Sequence, residues 1–107
     1  MTLRRAAWLL AGACLATSAL AADAAAGRQK AAACAVCHGP LGLATAPDAP
    51  NLAGQSAIYL VAQLRAFRGG ARQNEVMSLM AKPLSDAEID NLAAWYASLV
   101  IEVKPPP

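Results

Sequence analysis

Cys34 and Cys37 are separated by two residues and followed directly by His38, and this short pattern constrains the chain more than any other feature. Cys-x-x-Cys-His is the attachment signature of a c-type haem. Two thiols at this spacing reach the two vinyl groups on one side of a porphyrin, and the adjacent histidine lies under the iron as its proximal ligand. Because the pattern occurs once, the sequence predicts one haem c, bound covalently through Cys34 and Cys37, with His38 as a metal ligand.

Two other uses of a cysteine pair fit the chain less well. A thioredoxin-type dithiol opens a helix that follows a strand in an α/β fold. Here the pair follows an alanine-rich helical stretch, and no strand-like alternation of four or more residues occurs. A structural zinc site needs four ligands, whereas the chain beyond its N-terminal segment offers only Cys34, Cys37 and His38. We therefore expect haem rather than a redox dithiol or zinc.

The sixth ligand of the iron decides which chemistry is possible. His38 is the only histidine in the chain, so two histidines of this chain cannot ligate the same iron. The thioether candidates are Met77 and Met80, which precede the last predicted helix. Methionine in this position raises the reduction potential and closes the iron to substrates, which favours electron transfer. The alternative is that a methionine only fills the core, and spacing alone does not choose between the two.

The N-terminal residues have the layout of a secretory signal peptide. Arg4 and Arg5 are followed by an uncharged, alanine-rich stretch that ends in small residues, and we expect residues 1–21 to be removed by cleavage after Ala21. An uncleaved membrane anchor is the alternative, but the uncharged stretch is shorter than the ~20 residues that span a bilayer. Lipid attachment at Cys14 is less favoured, because the leucine before it stands one position too far away.

Cleavage would bring the mature chain, residues 22–107, close to electrical neutrality. It removes Arg4 and Arg5 from the nine Lys and Arg residues and none of the seven Asp and Glu residues. A neutral chain gives no indication of a nucleic-acid partner. We expect an exported protein of the periplasm, without a transmembrane span after cleavage.

Helical patterns dominate the mature chain. We expect a first helix from Ala24 to about Ala35, capped by Asp23, and a second from about Ala57 to Arg68, capped by Ser56. Residues 39–54 contain several glycines and prolines and are expected to form a loop around the haem. Three leucines of this loop are expected to be buried: Leu41, Leu43 and Leu52.

The last helix has the clearest signals. Ser85 and Glu88 form a capping-box pattern, while the prolines that end the chain predict an extended tail from about residue 103. One apolar face of the helix is formed by Ile89, Leu92, Ala93, Tyr96 and Val100. The predicted fold class is all-α, with three main helices around one covalent haem.

Seven segments of the chain form a recognisable set. They are Ala26-Gly27-x-x-Lys30, Cys34-x-x-Cys37-His38-Gly39, Pro50-Asn51-Leu52-Ala53-Gly54-Gln55, Tyr59-x-x-x-Gln63-Leu64, Arg72-x-Asn74, Met77-x-x-Met80-x-x-x-Leu84-Ser85-Asp86 and Ala93-Ala94-Trp95-Tyr96. This set resembles class I c-type cytochromes, closest to a single-haem domain of the bacterial cytochrome c4 type, over nearly the whole mature chain. The resemblance implies the small class I cytochrome c fold. The chain departs from two-domain members in having one haem, so it cannot pass electrons between haems by itself.

The resemblance also implies roles for individual residues. In the family, the first methionine of Met-x-x-Met ligates the iron, which is Met77 here, and Met80 is then a packing residue in the core or at the haem edge. The family packs its first helix on its last through a glycine and an aromatic residue, which are Gly27 and Tyr96 here, with Trp95 as the alternative. Contacts to the haem propionates are implied for Gln55, Tyr59 and Arg72.

The implied function is that of a monomeric electron carrier, not an enzyme, that meets its redox partners transiently through a small patch. One alternative is a dedicated haem subunit through which electrons enter a dehydrogenase or oxidase complex. A second is a haem sensor or enzyme with an open sixth site. Three arginines either form a positive rim near the haem or are ordinary solvated side chains: Arg65, Arg68 and Arg72.

Overall fold

The computed structural model describes Ala16 and residues 20–107. The predicted signal peptide, with Cys14, therefore lies almost entirely outside the described residues. Within them the chain forms helices and connecting loops and no β-strand, and no helix there is long and apolar enough to cross a membrane. The elements are α1 (Ala24–Lys30), a 3-10 turn (Ala31–Ala33), α2 (Ala35–His38), α3 (Ala57–Gly69), α4 (Glu75–Ala81) and α5 (Asp86–Ser98). The predicted all-α fold is confirmed.

Side-chain caps fix where α1, α3 and α5 begin. Asp23 accepts hydrogen bonds from two backbone N–H groups in the first turn of α1, at 2.9 and 3.1 Å, and the Ser56 hydroxyl accepts one in α3 at 3.2 Å. Ser85 and Glu88 form a complete capping box, in which each side chain accepts from the backbone N–H of the other, at 3.1 and 2.9 Å. These groups satisfy N–H donors that have no partner within the helix, so the helices start where the sequence predicts.

The core lies where α1 and α3 pack against α5. Its largest fully buried side chains are Ile89 and Leu92, both from α5. One cluster of buried residues joins the elements: Ala31, Leu60, Leu92, Ala93 and Tyr96. Since α5 supplies most of these side chains, it is the helix on which the rest of the domain is assembled.

Gly27 allows the backbone of α1 to approach the backbone of α5 closely. A Cβ atom at this position would lie 1.9 Å from the Asn91 carbonyl oxygen and 3.0 Å from Trp95 Cβ. The contact through a glycine is as expected, but its aromatic neighbour is Trp95, and the choice of Tyr96 is wrong. Tyr96 is one residue further along, about 100° around the helix, and is buried in the core cluster instead.

The first helix is shorter than predicted. It ends at Lys30, and the chain passes through the 3-10 turn before α2 begins at Ala35. A run of alanines has no side-chain signal that distinguishes an α turn from the tighter 3-10 turn. The cysteine motif therefore lies on a short helix of its own rather than at the end of α1.

The segment that contains both methionines is a helix, α4, which was not predicted from the sequence. Its N-cap is Asn74, whose side-chain oxygen accepts from the backbone N–H groups of Val76 and Met77, at 3.0 and 2.9 Å. Asparagine followed by Glu75 is a recognisable helix start. The helix has only 7 residues, too few for apolar periodicity to reveal it.

Val100, which was expected on the buried face of the last helix, is exposed. Leu99 has an extended backbone, with φ −74° and ψ 121°, so Val100 lies beyond the end of α5 and is 98% exposed. In the long loop, Leu52 packs against the core, whereas Leu41 and Leu43 are more than half exposed on the polypeptide, so their burial around the haem stays a prediction. The loop folds this way because the Gly42 carbonyl accepts the backbone N–H groups of residues 52 and 53, at 2.7 and 3.0 Å.

Candidate haem site

The cysteine motif lies on and beside α2. Cys34 is the residue before this helix, and Cys37 and His38 are its last two residues. Both cysteines are free thiols that are partly buried. Cys34 packs against the core cluster, and burial raises the pKa of its thiol. One helical turn thus presents two unpaired sulfurs and an imidazole.

The imidazole of His38 is buried and held in one orientation. The residue is 7% exposed, and its Nδ1 lies 2.8 Å from the carbonyl oxygen of Pro50. Because a carbonyl oxygen can only accept, Nδ1 carries the proton, and Nε2 keeps a lone pair for a metal. An outer hydrogen bond of this kind fixes metal-ligating histidines in general. Sequence reasoning did not identify Pro50 as the partner, since the bond uses only its backbone.

The loop that follows α2 is bonded to the cysteine motif through its backbone. The Cys37 carbonyl accepts the N–H groups of residues 45 and 46, at 3.0 and 3.1 Å. Gly39 makes the turn between them, with φ +76°, and a Cβ atom there would lie 1.9 Å from the Leu43 carbonyl oxygen. Only glycine fits this position, so the loop returns to the motif and brings Pro50 to His38.

The two methionines differ in burial. Met77 is in the first turn of α4 and is partly buried, whereas Met80 is 41% exposed. Residues three apart on a helix share a face, so both thioethers lie on the same side of α4. Met80 is not part of the buried core of the polypeptide, so its expected place at the haem edge stays a prediction. Asn74 lies in one of the matching segments but had no predicted role. Its side-chain oxygen accepts a hydrogen bond from the backbone N–H of Met77.

The residues assigned to the propionates are at opposite ends of α3. Gln55 and Tyr59 lie at its beginning and Arg72 beyond its end, and a 13-residue helix is about 20 Å long. The Arg72 side chain nevertheless reaches back along α3 to Gln63, one helical turn after Tyr59. Arg72 donates to the Gln63 side-chain oxygen at 2.7 Å and lies 4.6 Å from the centre of the Phe67 ring.

Arg65 and Arg68 make ion pairs with α5. Arg68 Nη2 lies 2.6 Å from Asp86 Oδ1, and its Nη1 donates to the Leu84 carbonyl at 3.0 Å. Arg65 lies 3.9 Å from Asp86 and 3.7 Å from Asp90. The Arg68 hydrogen bond, with both positive charges, lowers the pKa of the Asp86 carboxyl. Two of the three arginines for which a positive rim was one of two alternatives are thus paired with aspartates.

Tyr96 places a hydroxyl group inside the core. The residue is 3% exposed, and the hydroxyl has no hydrogen-bond partner among the described residues. Burial raises the pKa of the phenol far above its usual range, and the nearby Cys34 raises it further. The indole Nε1 of Trp95 is also buried without a partner in the described part of the chain.

Together, these groups fit a covalently attached haem. The chemistry requires two free sulfurs close together, a histidine with one ring nitrogen available, and a second ligand from another element. Cys34, Cys37 and His38 have the groups for the first two requirements, and the thioethers of Met77 and Met80 on α4 are the candidates for the third. No group of three or more His, Cys, Asp and Glu side chains in the described residues is placed to hold a bare metal ion, the cysteine motif included.

Comparison with known proteins decides the family. The family model for cytochrome c matches residues 24–99.

The chain belongs to the cytochrome c family. This cytochrome is 47% identical over 81 residues to cytochrome c-554(548) of Halomonas halodenitrificans, a match that covers 73% of the chain and 98% of that relative. It is 49% identical over 79 residues to a thiosulfate dehydrogenase electron acceptor of Thiomonas intermedia, covering 73% of the chain and 36% of that relative.

A solved structure supports the same assignment. The cytochrome superposes on reduced recombinant cytochrome c4 from Pseudomonas stutzeri with a TM-score of 0.70 and 38% identity, covering 75% of this chain and 47% of that one. It thus spans nearly the whole of the Halomonas relative and less than half of the other two proteins. The matches confirm the class I fold, covalent haem c as the cofactor, and the function of a monohaem electron carrier.

Proposed function

We propose that the chain is a periplasmic one-electron carrier that holds its haem through Cys34 and Cys37 and ligates the iron through His38 and Met77. The strongest support is the His38 imidazole, whose Nδ1 lies 2.8 Å from the Pro50 carbonyl oxygen. A ring fixed in this way presents Nε2 to a metal and loses a hydrogen bond if it turns away.

When bound, haem supplies an iron that gains or loses one electron. The residues of the chain restrict the chemistry to that exchange. His38 and the Met77 thioether would both hold the iron, which would keep water and substrates away from it. Since both side chains belong to helices of the fold, little of the protein would rearrange when an electron enters or leaves.

Two observations favour Met77 over Met80 as the second ligand. Met77 is the more buried of the two, and its backbone N–H is fixed by the Asn74 cap at 2.9 Å. A ligand on a capped helical turn needs little further ordering when it binds the metal. Met80, one turn further on, is assigned to packing at the haem edge.

We also propose Gln55, Tyr59 and Arg72 as polar contacts to the haem propionates. The support is chemical, since an amide, a phenol and a guanidinium all donate hydrogen bonds to a carboxylate. Arg72 already donates a hydrogen bond to Gln63. To bind a propionate, it would either exchange that hydrogen bond or donate to both groups.

We propose that a dehydrogenase donates the electron and that the two proteins associate transiently. The support is the Thiomonas relative, whose name describes an electron acceptor of thiosulfate dehydrogenase. The same name also fits the alternative of a dedicated subunit, so the two must be separated by experiment. A free monomer in periplasmic extracts supports the transient carrier, and stoichiometric co-purification with one enzyme supports the subunit.

Export and processing form a separate part of the proposal. Asp23 caps α1 and its backbone N–H donates to the Asn91 side chain at 2.7 Å, so cleavage after Ala21 would leave the folded domain intact. Mass spectrometry of the periplasmic protein should give residues 22–107 plus one haem. A chain that retains Cys14 with a bound lipid would instead establish an anchored form.

Optical spectra of the oxidised and reduced protein test the ligand assignment, with Met77→Ala and Met80→Ala compared to wild type. We expect low-spin covalent haem in wild type and loss of the ferric methionine–sulfur band only in Met77→Ala. If wild type is already high-spin and binds cyanide rapidly, the sixth site is open and a sensor or enzyme becomes the better description. If only Met80→Ala loses the band, Met80 is the ligand.

A further inference from the structure

The Tyr96 hydroxyl is a buried polar group that the proposed electron-transfer mechanism does not use. It lies on α5 with no hydrogen-bond partner in the described residues. A buried hydroxyl normally finds a partner, because it loses its hydrogen bonds to water on folding. Its position among otherwise apolar core residues therefore needs a specific reason.

The ring of Tyr96 is held on several sides, so the hydroxyl cannot turn to solvent. A Cβ atom at Gly42 would lie 2.9 Å from Tyr96 Cδ1, so the loop backbone passes directly over the ring. The Tyr96 carbonyl also accepts the backbone N–H groups of Gly54 and Leu99, at 2.9 and 3.3 Å. The side chain is thus fixed between α5 and the loop that carries Pro50.

Of the partly buried apolar side chains that pack against the cluster containing Tyr96, Cys34 has an atom that can accept a hydrogen bond, its sulfur. Burial raises the pKa of both the Cys34 thiol and the Tyr96 phenol, and each group also acts on the other: Tyr96 partly offsets the rise for the thiol, and Cys34 adds to the rise for the phenol. The contact falls short of a conventional hydrogen bond in the free thiol, which is consistent with sulfur being a weak acceptor.

We propose that Tyr96 is a positioning residue for the Cys34 thioether, donating its hydroxyl hydrogen to that sulfur and holding one edge of the haem against α5. This role rests on the proposed attachment of haem at Cys34. The positive end of the O–H dipole would then point towards the haem. Since reduction adds one negative charge there, the hydroxyl should favour the reduced state and raise the reduction potential.

Tyr96→Phe tests this role, because it removes the hydroxyl and keeps the ring. In the holoprotein we expect a lower denaturation midpoint and a lower reduction potential than in wild type. We also expect wild type to show a slowly exchanging tyrosine hydroxyl proton by NMR that Tyr96→Phe lacks. Trp95→Phe is the matched control, since it also removes a buried, unpartnered polar group from α5 but should leave the reduction potential unchanged.

A double-mutant cycle with Cys34→Ala locates the partner. In this background, with haem held by Cys37 alone, Tyr96→Phe should cause no further shift in potential. In the wild-type background, Tyr96→Phe could leave the reduction potential unchanged and leave the denaturation midpoint unchanged or raise it. That result would show that the buried hydroxyl has no hydrogen-bond partner and no positioning role. A shift that persists without the Cys34 sulfur would also overturn the role.

The Cys34→Ala variant by itself tests the proposed haem attachment separately from the role of Tyr96. If that variant retains the same number of thioether bonds by mass spectrometry of haem peptides, attachment at Cys34 is wrong, whatever Tyr96 does. If the variant does not mature, the potential and the hydroxyl proton of wild type and Tyr96→Phe still decide the role of Tyr96.

Discussion

At the scale of single residues, Gly27 sets how closely α1 and α5 can pack. The atom that a side chain would meet is the Asn91 backbone oxygen, which cannot rotate away, so the helices would have to separate. We expect Gly27→Ala to lower the free energy of unfolding by about 1–3 kcal/mol, as is typical of overpacking. Chemical denaturation of the holoprotein measures this.

Gly69→Ala is the control for that prediction. It is also a helical glycine, but a Cβ atom there would meet nothing within 4 Å. The substitution should leave stability unchanged or raise it by up to about 1 kcal/mol, because alanine favours the helix. Equal destabilisation by the two substitutions would show that close packing is not the reason for Gly27.

What the sequence could predict at this scale depended on whether a side chain carries the interaction. Cys34, Cys37 and His38 are recognisable because their chemistry and spacing belong to side chains. The partner of His38 is a backbone carbonyl, which any residue could supply, and no pattern in the sequence indicates that role for Pro50. The choice between Trp95 and Tyr96 failed for another reason, since neighbouring residues differ by about 100° around a helix and only the packed structure fixes which one faces α1.

At the scale of elements, the Asn74 cap should control how firmly Met77 is held. Asn74→Ala removes the acceptor for two N–H groups in the first turn of α4, and the loss of such a cap costs about 1 kcal/mol. Because Met77 is in that turn, we expect cyanide to displace the sixth ligand of the ferric protein faster than in wild type. Stopped-flow mixing with cyanide measures the rate.

Ser56→Ala separates the effect on Met77 from general loss of stability. It removes a comparable cap from α3, and we expect a similar loss of stability without faster cyanide binding. If both variants bind cyanide equally fast, the rate reports overall loosening of the protein and not the position of Met77.

The first turn of α5 should make stability depend on pH. Lys30 Nζ lies 2.8 Å from Glu88 Oε1, and this bond, with the Ser85 N–H, lowers the pKa of the Glu88 carboxyl. A lowered pKa means that the contribution is complete above the unfolded value of about 4.3 and is lost as the pH falls through the folded value. Glu88→Gln should thus be less stable than wild type at pH 7, and the difference should disappear in acid.

Denaturation midpoints measured from neutral to acid pH follow this convergence. Glutamine can still complete a capping box, so the variant removes the charge and keeps the cap. Glu102→Gln, in the exposed tail, should match wild type at neutral pH. A difference between Glu88→Gln and wild type that is constant with pH would mean that the Lys30 pair contributes nothing.

The sequence predicted the elements that are long or well capped and missed those that are short. α3 and α5 begin after the expected serine caps, and α5 buries its expected face apart from Val100. α4 has a good N-cap but too few residues for a periodic pattern, and the 3-10 turn lies in a run of alanines. In both cases, tertiary contacts rather than local preference decide the conformation.

At the scale of the whole molecule, the core is small for an independent domain. Its fully buried large side chains are Ile89 and Leu92, and domains of this size usually need a covalent or metal staple. We expect an exported Cys34→Ser/Cys37→Ser double variant, which cannot attach haem, to have much less helix than the holoprotein by far-UV circular dichroism and no cooperative thermal transition. Native helix content with a cooperative transition would show that the polypeptide folds without its cofactor.

The packing of α1 on α5 also has a consequence for the duplication of such domains. The N–H of Asp23, just before α1, bonds to Asn91 in α5, and α5 ends seven residues later at Ser98, about 11 Å further along its axis. The two ends of the folded unit are therefore neighbours on its surface. A gene duplication could join one copy to the next through a short linker without disturbing any contact inside either copy, which gives a simple route from a chain of this length to one twice as long.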